Sequence, residues 1–232
     1  MQICFHRSDS FVTSRSTYII YRISLFFLLL VSHTSAFAMD GIGVYFKANF
    51  SGRIYKGLSF LFEEDFRPRE DFKEAQWLLS TAELNYRIAQ PIVVGAGYMS
   101  LIRYKDSSQQ RNRYYFYATG SHKIGHFTLS IRERFQSTYK KQAEHPSNYL
   151  RSMFNISYKI PKTNFSPFSY VEVFNNTSKS LKADKIRLSA GTNYRLNAKN
   201  GLQLFYRYHI FNIKNDPVNY KHIVGICYSH KF

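Results

Sequence analysis

Phe127-Thr128-Leu129-Ser130-Ile131-Arg132 decides the fold. Apolar side chains recur at every second residue, and a period of two belongs to a strand with one apolar and one polar face. The same alternation appears before and after it. Leu58, Phe60 and Phe62 alternate with Ser59, Leu61 and Glu63, and Leu78, Ala82, Leu84 and Tyr86 with Leu79, Thr81, Glu83 and Asn85. Leu150, Phe154, Ile156 and Tyr158 continue the pattern, as do Ile186, Leu188 and Ala190, then Leu202, Leu204, Tyr206 and Tyr208. Including Ile92–Tyr98, Tyr114–Ala118, Val171–Val173 and Val224–Tyr228, the spacing predicts ten strands between residues 57 and 232. Gly43–Phe50 is an eleventh candidate, either a strand or a segment filling the lumen.

The connections alternate in length. Arg67–Ala75, Lys105–Asn112, Ser137–Asn148, Asn175–Asp184 and Asn212–Asn219 read as long, while Ala89–Pro91, Ser121–Gly125 and Asn197–Asn200 read as short. The contrast weakens at Pro161–Pro167. Short turns on one side and long loops on the other mark a membrane β-barrel, and they place both ends of a ten-strand set on the short-turn side. The fold class expected is an all-β, antiparallel transmembrane barrel of 10–12 strands with an even count.

Composition restricts the alternatives. Aromatics at 18% exclude a disordered chain. Two cysteines exclude a disulfide scaffold or a four-thiolate zinc site. The histidines show no ligand-like grouping, so neither a metal nor a cofactor is expected. The formal net charge of +17 fits a nucleic-acid binder, but the N-terminus redirects that reading. Arg7, Arg15 and Arg22 precede the apolar run Ile23–Val31 and the small-x-small site Ala36-Phe37-Ala38. These are the parts of a secretory signal peptide, with cleavage expected after Ala38. The run is shorter than the ~20 residues of a spanning helix. The expected organisation is a signal peptide over 1–38, an N-terminal strand or lumen segment over 39–56, and a barrel over 57–232. An exported basic protein meets anionic lipid and lipopolysaccharide rather than nucleic acid.

A secreted sandwich shares the period of two. Tyrosines near the strand ends, among them Tyr86, Tyr98, Tyr114, Tyr139, Tyr158 and Tyr194, favour interfacial girdles instead. The last strand carries Val224, Ile226, Tyr228 and the terminal Phe232 on one parity. Tyr228 and Phe232 resemble the signal read by the barrel-assembly machinery of Gram-negative outer membranes, so that membrane and that machinery are the expected location and partner.

The chain also resembles an uncharacterised bacterial family called domain of unknown function 2490, a set of predicted outer-membrane proteins. The resemblance rests on charged residues set within strands: Ile131-Arg132-Glu133-Arg134, Leu150-Arg151, Val171-Glu172-Val173-Phe174 and Ile186-Arg187-Leu188. The strand Val94-Gly95-Ala96-Gly97-Tyr98 and the closing aromatic strand add to it. In the first strand, Tyr45-Phe46 stands where the family has an aromatic such as Trp. The resemblance implies a membrane barrel and no established activity.

If the apolar parity faces lipid, the other parity faces the lumen. That set holds Glu63, Asp65, Glu83 and Glu172 together with Arg103, Arg113, Arg132, Arg134, Arg151, Arg187, Arg195 and Arg207. Charge on the lipid side is costly near the midplane, so the inward placement of this set is expected. Guanidinium forks around carboxylates suit a structural network, and the surplus Arg suits a narrow anion path. Glu172 is expected between Arg151 and Arg187. A lipase or acyltransferase would need a Ser–His pair, for which His209 with Ser189 or Ser229, oriented by Glu172 or Asn193, is the best set available. No Gly-x-Ser-x-Gly elbow supports it, so an enzyme is not expected. The basic stretches Lys140–His145 and Lys179–Lys185 offer a third reading, a surface-binding barrel acting through its loops.

Overall fold

The computed structural model describes residues 42–68, 75–104, 109–141, 143–178, 182–213 and 218–232. The expected signal segment, with Ala36 and Ala38, lies outside the described residues. Eleven strands follow one another: β1 (Ile42–Tyr55), β2 (Leu58–Pro68), β3 (Ala75–Ala89), β4 (Ile92–Arg103), β5 (Gln109–Ile124), β6 (Phe127–Lys140), β7 (Ser147–Tyr158), β8 (Phe165–Asn176), β9 (Lys182–Arg195), β10 (Asn200–Phe211) and β11 (Asn219–Lys231). Each pairs antiparallel with its sequence neighbour, and β1 closes the barrel against β11.

That closure corrects one expectation and decides between two others. The even count gives way to eleven, and of the two readings of Gly43–Phe50 the strand is the one observed. The reason is local first: Lys56-Gly57, with φ +76° at Gly57, turns β1 back onto β2. The other edge of β1 must then find partners, because an open edge cannot sit in hydrocarbon. It finds them on β11, in parallel, from Ile42 opposite His222 to Ser51 opposite Lys231. An odd number of strands requires one such parallel pair, and odd counts do occur in membrane barrels. At the short-turn rim the Phe232 amide donates to the Ser51 carbonyl at 2.9 Å, and the Phe232 ring stacks on Phe60 with centroids 6.3 Å apart.

The alternation read from the sequence sorts the two faces. Phe62, Leu84, Phe116, Ile131, Phe154, Leu188, Leu204 and Val224 are all exposed on the outside. Glu172, Asp65, Glu83, Arg151 and His209 are buried inside. An apolar exterior around a polar interior is the pattern of a transmembrane barrel, and the all-β barrel expected from the sequence is borne out. Exterior aromatics gather toward both rims: Tyr98, Tyr114 and Tyr139 contact in series toward the long-loop end, and Phe127 with Tyr158 and Phe165 with Tyr194 near the short-turn end.

Two acids break the sorting rule. Glu64 and Glu133 point outward, on the parity of the apolar residues that flank them two positions away. Each is hydrogen-bonded by a hydroxyl on the next strand, Ser80 Oγ to Glu64 at 2.9 Å and Ser152 Oγ to Glu133 at 2.8 Å. Carboxylates cost less than Lys or Arg on a lipid face, and the hydroxyl lowers that cost further.

Every ladder in this barrel is closed internally, which makes such proteins resistant to detergent. Unheated protein should migrate differently from boiled protein in SDS gels. Identical mobility would contradict a closed barrel.

Candidate functional site

The interior is not uniformly polar. Beside the β1–β11 seam, Tyr45, Ile223 and Phe205 form a buried apolar cluster, with Phe168 packed against it. Tyr45 and Phe205 both lie beside Gly225, where a Cβ would run into the Phe205 ring. The rest of the lumen is charged, and each of its carboxylates is held differently.

Glu172 on β8 gathers guanidinium groups from three strands. Arg151 on β7 donates to Oε1 from Nη2 at 2.7 Å and from Nε at 3.1 Å. Arg187 on β9 donates to Oε2 at 2.9 Å, and Arg132 on β6 reaches Oε1 at 3.5 Å. Val171 and Val173 fix the parity that turns this acid inward, and its side chain is 1% exposed. The donors are themselves fixed: Arg151 Nη1 donates to Gln136 Oε1 at 2.8 Å, and Arg187 Nε to His209 Nε2 at 2.9 Å.

Glu83 on β3 is reached by residues two strands away. Gly95 and Gly97 on β4 leave room for the rings of Tyr117 and Tyr115 on β5 to cross the intervening strand. Tyr115 Oη donates to Glu83 Oε2 and Tyr117 Oη to Oε1, both at 2.7 Å. Arg134 stands over the Tyr115 ring at 4.2 Å with Nη2 3.8 Å from Glu83. Glycine at an inward strand position often marks such an approach. The pair of glycines facing a pair of tyrosines was the available sequence signal for these two donors, which the spacing of charged residues alone missed.

Asp65 on β2 holds Lys47 at 3.2 Å and Arg67 at 2.7 Å, and Lys47 also bonds Glu63 at 2.8 Å. The triplet Glu63-Glu64-Asp65 lies within the wall on β2, with only Glu64 outside. Lys47 had no role in the sequence reading because its strand was not placed. Lys185, read as part of a basic loop, belongs to β9 and faces the lumen, its Nζ 4.3 Å from the Phe174 ring.

The remaining cations have no acid of their own. Among the described residues, Arg113 and Arg207 make no ion pair. Arg113 donates to Thr138 Oγ1 at 3.0 Å and points a second nitrogen at Met99 Sδ. Arg207 stacks over Phe205 at 4.6 Å and leaves Nε without a partner. Arg103 lies over Trp77, and Arg195 lines a separate hollow at the short-turn rim. A central cavity of about 510 Å³ is bordered by eight Lys and Arg side chains against four carboxylates. Two guanidinium groups 8 Å apart repel by about 2 kcal/mol at an effective dielectric constant of 20, so an excess of this size calls for counter-anions.

The candidate catalytic set does not assemble. Ser189 Oγ donates to the Tyr206 carbonyl at 2.9 Å, and Ser229 Oγ to the Gly201 carbonyl at 3.3 Å. His209 accepts from Arg187, so neither serine meets it. Tyr228 and Phe232 face outward, Tyr228 Oη donating to Asn200 Oδ1 at 2.6 Å.

Two substitutions probe these centres. Removing the Glu172 carboxylate leaves three guanidinium groups facing one another, and breaking a buried pair from one side costs about 3–5 kcal/mol. Glu172→Ala should lower the melting temperature well below that of Glu144→Ala in an exposed loop, and equal values would deny the clamp its structural weight. Gly97→Ala should cost about 1–3 kcal/mol by displacing Tyr115. Gly120→Ala, with nothing within 4 Å of the added carbon, should stay within about 0.5 kcal/mol of wild type. Both are read by thermal unfolding in detergent.

Comparison with known proteins adds the following. Solved structures of similar shape include the KdgM porin (14% identity, 77% of this chain and 87% of that one, TM-score 0.48). An anion-selective porin from Comamonas acidovorans matches at 9% identity over 74% of this chain and 52% of that one, TM-score 0.39. Outer-membrane expressed OmpT of Vibrio cholerae matches at 11% identity over 68% and 53%, TM-score 0.42. The chain thus spans about half the length of the latter two. No curated protein matches the sequence. The profile of the family described as "Protein of unknown function (DUF2490)" covers residues 42–220, all of β1 to β10 and the first two residues of β11, and the chain belongs to that family.

Proposed function

We propose that this protein is an outer-membrane barrel whose lumen is a narrow, anion-selective path. The observation that carries the reading is the imbalance of the central cavity, bordered by eight cationic side chains and four carboxylates, with Arg113 and Arg207 lacking an acidic partner among the described residues. Four carboxylates suffice to fix the arginines and lysines around them, and the clamps at Glu172, Glu83 and Asp65 do so. The surplus is then free to set the sign of what enters. Rings of Arg or Lys select anions by this means. The signal segment and the apolar exterior agree with insertion in an outer membrane, and basic rims agree with lipopolysaccharide phosphates as neighbours.

The test is conductance of the mature protein in a planar bilayer under a potassium chloride gradient. The reversal potential should report chloride preference. The double variant Arg113→Gln/Arg207→Gln should reduce the chloride-to-potassium permeability ratio several-fold, while Arg195→Gln at the rim should change it little. Cation selectivity, or no conductance at all, would overturn the reading.

A further inference from the structure

We infer that the mid-lumen arginines Arg113, Arg187 and Arg207 form a binding site for a compact solute anion carrying two or more negative charges, such as a small polycarboxylate. The inference deepens the anion-path reading and rests on it for access, but not for binding itself.

Several observations converge on these three residues. They project from β5, β9 and β10, so they approach the lumen from opposite parts of the wall, and all three border the same cavity. Arg187 stands opposite His209 on the β9–β10 ladder, two residues from Arg207 on the same face of β10. None of the three is idle in orientation. Arg187 is held by Glu172 and His209, Arg113 by Thr138 Oγ1, and Arg207 by stacking on Phe205. They are therefore preorganised, and little side-chain freedom remains to be lost on binding.

Their donors are not used up. A guanidinium offers five N–H groups in a fixed fork. Among the described residues, Arg207 gives no hydrogen bond to the protein, and one of its nitrogens is buried without a partner. Arg113 directs one nitrogen at a thioether sulfur 3.6 Å away, a weak acceptor that a carboxylate oxygen would displace. Two forks of this kind fit two carboxylates bidentately. A monovalent ion can satisfy one fork and leaves the other unpaired. A polycarboxylate spanning both relieves the repulsion among the three groups in a single step, and the cavity volume of about 510 Å³ limits it to a small molecule.

Citrate is the probe, titrated calorimetrically into mature protein folded in detergent without lipopolysaccharide, against acetate at matched ionic strength. Citrate should bind saturably and at least tenfold more tightly than acetate. Arg113→Gln/Arg207→Gln should weaken citrate at least tenfold while keeping the heat-dependent gel mobility of a folded barrel. If the double variant does not fold, each single Gln variant should weaken citrate at least threefold. Citrate binding no tighter than acetate, or unchanged affinity in the variants, would overturn the inference. Binding in detergent with no bilayer conductance would keep the site and end the path reading, and chloride-selective conductance without citrate preference would do the reverse.

Discussion

Everything in this molecule depends on the edge of β1 being satisfied. A strand edge exposes a row of N–H and C=O groups that hydrocarbon cannot solvate. Ten strands joined by hairpins leave one such edge at each end, and an eleventh does not change that. Only pairing the first strand with the last removes both. The parallel ladder from Ile42/His222 to Ser51/Lys231 is that pairing, and it determines which residues share an interior. Tyr45 meets Gly225 because of it, and Lys47 stands opposite Cys227 within reach of Asp65 and Glu63.

Once closed, the barrel faces a second demand. Its interior is too narrow to hydrate long side chains as bulk water does, so each inward charge needs a partner or a water of its own. The three carboxylate centres answer this with different chemistry. Glu172 uses charge alone, Glu83 uses two phenol hydroxyls with one distant guanidinium, and Asp65 uses a mixed Lys–Arg pair. The tyrosines matter for the balance. By donating to Glu83 without bringing charge of their own, they let Arg134 stand off at 3.8 Å while the carboxylate stays satisfied.

Much of this is legible in the sequence. Parity alone turned Glu172 inward, because Val171 and Val173 flank it, and it put Arg132, Arg134, Arg151, Arg187 and Arg207 on the same interior. What parity cannot supply is height. Strands tilt, so residues on one ladder row sit at different depths, and which guanidinium meets which acid depends on the shear of the closed barrel. Arg132 at Glu172 belongs to that class of fact. Closure itself was hidden for a related reason: hairpins are local and announce themselves through turns, whereas the partner of β1 lies some 180 residues away and leaves no mark in the alternation of loop lengths. Glu64 and Glu133 lie on the apolar parity, and the hydroxyls that hold them there, on Ser80 and Ser152, sit on the adjoining strands, where alternation along one strand does not show them.

The parallel seam also bears on how such a barrel could have arisen and how it can be rewired. Duplicating hairpins adds strands in pairs and returns both chain ends to one rim, where a short peptide can join them. Here β1 starts at the opposite rim from the one where β11 stops. No short peptide can join those two points, so the circular rearrangements open to even-stranded barrels are closed to this one. Its ancestry needs a single-strand gain or loss, not repetition alone.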